Sequence, residues 1–287
     1  MDSALHFQSQ MQTLLAPLIP HSALVWVDDV ILFAPTVTEF LVVLRKFFTI
    51  VAEANLKLNM EKSSLFELEI LWCGRYFSAD GVRHDPMRVD ALSTLPLPAT
   101  VADLQRFVFA TNWLHDSLPD YARVIAPLHA KLEAEKKKIG KRNRNALQVA
   151  TQWSREERDA FQDVVSLVQD SALMVHPDPD ADLCVFTDAS LSGFSIVVTQ
   201  VRQWQFGVAV EQQDHQLVIC KGGMFKDSQL NWTVIEKEAY PTVNACNDLE
   251  YLLLRPKGFR LFCDHANLIY IFAPHDELKK HVRDRLQ

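Results

Sequence analysis

The sequence predicts an α+β, mixed α/β chain of two or more domains, and three observations carry that expectation. Its 287 residues and 48% hydrophobic content are enough for separate cores. Segments of helical period alternate with short apolar runs of strand length along the chain. Two of those runs, Leu183-Cys184-Val185-Phe186-Thr187-Asp188 and Phe259-Arg260-Leu261-Phe262-Cys263-Asp264, each end in an aspartate, and a helix-like segment between them carries Glu238. Buried strands that deliver carboxylates to one sheet end, joined by a helix that adds another, assemble divalent-cation sites for phosphodiester chemistry.

Composition narrows the classes. No run of about twenty apolar residues exists, and Met1-Asp2-Ser3-Ala4 lacks the basic start of a secretory signal. A soluble intracellular chain is expected, with cytoplasm and nucleus both open. The five cysteines are scattered singly without zinc-ligand spacing, so buried free thiols are expected. A net charge of -7 gives no general support for a nucleic-acid binder. Locally the balance reverses. Lys131 to Arg144 holds seven basic and two acidic residues, which leaves -12 on the remainder. Two readings are open for Lys136, Lys137, Lys138, Lys141, Arg142 and Arg144, a phosphate-binding patch or a solvated connector around Gly140.

In chain order, Leu5 to Leu18 has a helical stripe that stops near Pro17 and Pro20. Leu24–Val27 and Val30–Phe33 read as strands with Asp28-Asp29 between them. That acid pair is either ordinary turn chemistry or, if a tight turn gathers both, part of a cation site. Thr38 to Ala54 returns to helical period, and short strands are expected at Leu56–Leu58, across Leu71–Phe77 with a break at Gly74, and after Gly81. Trp72 and Tyr76 either face a ligand or pack in a core. Helices are expected from Val101 and over Tyr121 to Leu132, where Pro127 would end or bend the second. A further helix is expected over Ser154 to Gln169, where Ser154 and Glu157 have capping-box spacing.

The C-terminal half predicts a five-stranded sheet of mixed direction with helices across it. Leu183–Phe186 is its central strand, followed by Phe194–Val198 and His215–Cys220. Thr233 and Glu236 form a capping box, so Glu236 answers backbone amides. Glu238 instead shares a helical stripe with Ile235, Thr242, Ala245, Cys246 and Leu249, where a carboxylate needs a partner, a cation shared with Asp188 and Asp264 or a buried lysine, unless it lies at the stripe edge. Pro241 lies one turn on, where an interior proline costs about 3 kcal/mol. His265 receives no catalytic role, because bound ions do the work of a general base in such sites.

These stretches together resemble a known family. Trp26-Val27-Asp28-Asp29 is similar to the aspartate-pair hairpin of the retroelement reverse-transcriptase palm, and Leu71–Val82 to the primer-grip region that follows. Ala102–Phe107 through Ala126–Leu128 resembles the thumb. Phe186–Ser190, Ile235–Tyr240 and Cys263–Leu268 resemble the ribonuclease H module of Ty3/gypsy-type LTR retrotransposon polyproteins, and Phe225–Tyr240 and Tyr251–Phe262 look most like oomycete elements. The resemblance implies a partial palm with primer grip over 1–95, a helical thumb and basic connector over 96–150, and a connection segment with a C-terminally truncated ribonuclease H-like domain over 151–287. It implies Mg²⁺ or Mn²⁺ on Asp188, Glu238 and Asp264, and on Asp28 and Asp29. RNA–DNA hybrid or another nucleic acid and the remaining polyprotein segments would be partners, with no membrane. Trp72 and the basic stretch would touch nucleic acid. The family adds a palm aspartate and fingers upstream and a fourth acid beyond Gln287, and it has alanine where Pro241 stands. The expectation is therefore metal-dependent cleavage of RNA in hybrids, with no polymerase activity from this chain alone. The alternative is a catalytically inactive remnant that binds nucleic acid or protein.

Overall fold

The computed structural model describes residues 2–139, 148–265 and 268, which cluster into two units, Met1–Ala79 and Asp80–Gln287. In the first, helix α1 (Asp2–Leu14) delivers Met11 to a core completed by Leu15, Leu18, Ala23, Phe47 and Val51. Strands β1 (Ala23–Trp26) and β2 (Asp29–Leu32) pair antiparallel, with Trp26 opposite Asp29. Thr36 caps α2 (Val37–Glu53) by accepting the Glu39 amide at 3.3 Å. The strand expected at Leu56–Leu58 does not form. Asn55 ends the helix in a left-handed conformation (φ 53°), and Asn59 caps the single turn Met60–Lys62, so two helix ends consume the segment. Strands β3 (Glu69–Trp72) and β4 (Arg75–Ser78) form a hairpin whose loop residues, Cys73 and Gly74, both have positive φ (50° and 76°). That is the twist a two-residue hairpin loop requires, and it accounts for the break at Gly74.

The second unit starts with β5 (Val82–His84), where Val82 bridges to Met174, followed by α3 (Pro86–Ser93). Helices α4 (Val101–Asn112), α5 (Tyr121–Ile139) and α6 (Arg155–Gln169) enclose Leu104, Phe107, Leu128, Leu132, Phe161 and Val164. Capping boxes open α4 (Thr100 with Asp103) and α6 (Ser154 with Glu157). Pro127 does not end α5. Buried Ile125, Leu128 and Leu132 fix the helix on both sides of it, and packing of that kind offsets the local cost. The helix therefore continues to Ile139, and Lys136, Lys137 and Lys138 occupy its last turn rather than a linker.

Strands β6 (Asp182–Ala189), β7 (Gly193–Val201) and β8 (Gln216–Met224) pair antiparallel in that order. Helices α7 (Val234–Asp248) and α8 (Glu250–Leu253) lead to β9 (Arg260–Cys263), which pairs parallel with β6. The order is β8-β7-β6-β9, so among the described residues the sheet has four strands rather than five. After Cys263 those residues supply no further strand. One sheet face buries Leu183, Val185, Ile196 and Val198 against Ala245, Leu249, Leu252 and Leu253. Helix α7 runs through buried Pro241 without interruption. Of the cysteines, only Cys184 and Cys220 are buried; Cys246, expected on the inner stripe, is exposed. Among the described residues no helix is long and apolar enough to cross a membrane.

Candidate metal centre

Strand pairing brings the first two acids together. Thr187 lies opposite Cys263 in the parallel β6–β9 pair, so the next residues, Asp188 and Asp264, leave adjacent strands at the same end. Helix α7 adds the third. Ala245 and Leu249 hold it on the sheet, and the Thr187 and Thr242 hydroxyls meet at 3.3 Å, which sets Glu238 one turn earlier above that end. One carboxylate oxygen from each of Asp188, Glu238 and Asp264 lies within 4.8 Å of the others. Asp188 and Asp264 are exposed, whereas Glu238 is only 8% exposed.

This arrangement is electrostatically unfavourable without a cation. Burial raises the Glu238 pKa above the ordinary glutamate range, and the charges of Asp264 and Asp188 raise it further. His265 and the backbone amide of Ala189 oppose the shift. Glu238 Oε2 is buried without a hydrogen-bond partner among the described residues, as is His265 Nδ1. A buried glutamate with one orphaned oxygen, beside two other carboxylates, suits a hard, oxygen-seeking cation. The neighbouring Lys237 is buried, yet its ammonium binds backbone carbonyls rather than Glu238, so the lysine alternative for that acid does not hold.

The remaining predicted residues do not join this centre. Asp28 and Asp29 are exposed at the tip of the β1–β2 hairpin and belong to no cluster of three or more possible ligands among the described residues. The hairpin tip is held by a residue the sequence did not single out. Gln8 of α1 donates to the Val25 carbonyl at 3.1 Å and accepts from the Val27 amide, which supports Val27 at φ 55°, an unusual conformation for a β-branched residue. Trp72 is half-buried with its ring edge-on to Phe77 at 5.7 Å. Lys136 and Lys138 pair with Glu133 (3.5 Å) and Glu135 (2.9 Å) on their own helix. Lys131 is buried, binds Glu157 at 3.0 Å and sits over Trp153, so it ties α5 to α6 and does not face a solvent polyanion. Lys141, Arg142 and Arg144 lie outside the described residues.

Arg123 and the Ala189 amide were also missed. Arg123, on α5 and far upstream in sequence, pairs with Asp120, which raises its pKa, and the charge of Asp188 adds to that rise. Neither has a sequence signal, because one is a backbone group and the other depends on tertiary placement.

A mixed sheet with three antiparallel strands, a parallel fourth and one acid each from β6, α7 and the end of β9 defines a ribonuclease H-like domain. Residues 178–287 match the family described as the RNase H-like domain found in reverse transcriptase, and residues 2–77 match reverse transcriptase (RNA-dependent DNA polymerase). The N-terminal stretch is thus similar to reverse transcriptases and the C-terminal one to the ribonuclease H-like domains found in them. The chain is 27% identical over 265 residues to the retrovirus-related Pol polyprotein from transposon 297 of Drosophila melanogaster, covering 92% of this chain and 23% of the relative. With the Pol polyprotein from transposon gypsy of the same organism the identity is 24% over 268 residues, covering 93% and 24%. The chain therefore spans about a quarter of these relatives' length. Among solved structures, a foamy viral protease-reverse transcriptase in complex with RNA/DNA hybrid matches 99% of this chain and 36% of its own, with TM-score 0.70 and 20% identity, which establishes the shared fold.

Proposed function

We propose that the second unit is a metal-dependent nuclease that cleaves the RNA strand of RNA–DNA hybrids. The observation that carries this is the approach of the Asp188, Glu238 and Asp264 carboxylates to within 4.8 Å, with a Glu238 oxygen left without a partner. These three residues would hold Mg²⁺ or Mn²⁺, which supplies charge neutralisation at the scissile phosphate and activation of water when bound. The chain's own part is positional. Two strand ends and a helix fix the ligands before substrate arrives, and Glu238, buried and repelled by its neighbours, favours a cation over solvent. Hybrid as the nucleic-acid partner is supported by the foamy viral complex of the same fold.

The finer parts of this reading are a Ty3/gypsy-type origin, supported by the transposon gypsy relative, and a palm, thumb and ribonuclease H division near residues 95 and 150. The oomycete affinity rests on the Phe225–Tyr240 and Tyr251–Phe262 stretches alone. Asp28 and Asp29 are assigned to a polymerase site, supported by their exposed place at a hairpin tip within the stretch that matches reverse transcriptase. The test is cleavage of a labelled RNA–DNA hybrid in Mg²⁺ or Mn²⁺. Product that requires the metal and disappears in Asp188→Asn is expected; wild-type chain that binds hybrid without turnover supports the inactive-remnant alternative instead.

A further inference from the structure

The structure holds one buried cation next to the metal centre that the proposed chemistry does not use. Lys237 is 6% exposed, and its ammonium donates to the Leu191 carbonyl at 2.8 Å and the Leu230 carbonyl at 3.0 Å while lying 5.6 Å from the centre of the Phe225 ring. Leu191 belongs to the turn between β6 and β7, a few residues after Asp188, and Leu230 to the turn that precedes α7. The same β6–β7 turn is tied back to the chain before α7, since the Phe225 amide donates to the Ser192 carbonyl at 2.8 Å. Rings of Phe194, Phe225, Trp232 and Tyr240 meet at 5.1–6.2 Å and form an apolar wall on that side.

Consecutive residues of α7 therefore grip one hairpin at two points. Glu238 faces the Ala189 amide, and Lys237 holds the Leu191 carbonyl two residues further on. Asp188 immediately precedes the first of these points. We infer that Lys237 is a positioning residue for the metal centre: it fixes the β6–β7 turn to α7 and thereby sets the separation of Asp188 from Glu238. The physical argument is asymmetry of cost. A buried ammonium is retained only where its donors are satisfied, and here two carbonyls and a ring face supply that, so the turn cannot drift from α7 without stranding the charge. Polyvalent cation binding needs ligand placement to a fraction of an ångström, so a loosened turn weakens binding even in a folded protein.

This inference rests on the metal-centre reading and is tested separately from hydrolysis. Mn²⁺ binding to the full chain is followed by the electron paramagnetic resonance signal of the free ion, for wild type, Lys237→Met, Lys237→Gln and Lys131→Met. Lys131→Met removes another buried lysine that binds its partners between α5 and α6, and so reports the effect of lost stability alone. The expected result is a fivefold or greater weakening of Mn²⁺ binding in Lys237→Met, a smaller loss in Lys237→Gln, and a change within twofold in Lys131→Met. If Lys237→Met does not fold, Lys237→Gln carries the same reading. Unchanged affinity in the folded Lys237 variants, or an equal loss in Lys131→Met, overturns the inference alone. Wild-type chain that takes up no Mn²⁺ overturns it together with the metal centre.

Discussion

Replacing Asp264 with asparagine separates the electrostatic account of the centre from a merely structural one. In the metal-free protein three carboxylates have oxygens within 4.8 Å of one another. At that distance two unit charges repel by about 0.9 kcal/mol at a dielectric of about 80 and by about 3.5 kcal/mol at about 20. Asp188 and Asp264 are exposed, so the lower figure governs, and removal of one charge is worth about 1 kcal/mol net. For a unit of this size that is a rise in Tm of about 2–4 °C. Differential scanning calorimetry in EDTA at neutral pH should show Asp264→Asn more stable than wild type. In Mg²⁺ the order should reverse, because a cation at ten times its Kd stabilises the wild type by about 1.4 kcal/mol and the variant has lost a ligand. A variant destabilised equally with and without Mg²⁺, beside a wild type indifferent to the ion, would refute the reasoning.

Three further outcomes follow from the same structure. Because the folded-state pKa of Glu238 is raised, the folded chain holds a proton there that the unfolded chain has released; metal-free stability from this group should fall as pH rises from about 4 through the folded pKa, and saturating Mg²⁺ at neutral pH should restore it, as read by urea titration. Leu249→Ala removes a fully buried side chain between α7 and the sheet and should cost about 2–4 kcal/mol in urea unfolding while loosening the placement of Glu238. Gln8→Ala removes both bonds that hold the β1–β2 tip, at about 1–2 kcal/mol, and should increase proteolytic cleavage near Val27 without changing Mn²⁺ binding by the second unit.

Much of this architecture is legible in the sequence. The capping boxes at Ser154 and Thr233 fix helix starts through local hydrogen bonds, and the apolar run before Asp188 identifies a strand covered on both faces. The trio Asp188, Glu238 and Asp264 was legible because each acid ends or interrupts an apolar pattern that places it. Features decided by tertiary packing were not legible. Pro127 looks like a helix end until the apolar contacts of Ile125 and Leu128 are counted, and Leu56–Leu58 looks like a strand until Asn55 and Asn59 take up its backbone. Charge alone left the role of the basic stretch open for a related reason. The count over Lys131 to Arg144 treats every lysine as solvated, whereas Lys131 is internal and Lys136 and Lys138 are matched on their own helix.

The parallel pairing of β6 with β9 sets a clock on assembly. Asp188 and Asp264 are brought together by parallel strands far apart in the sequence, and such non-local closure is slow compared with forming a hairpin. A chain in which β9 has not docked has not gathered the three carboxylates. On the proposed function, cation uptake then serves as a reporter of completed folding of this unit.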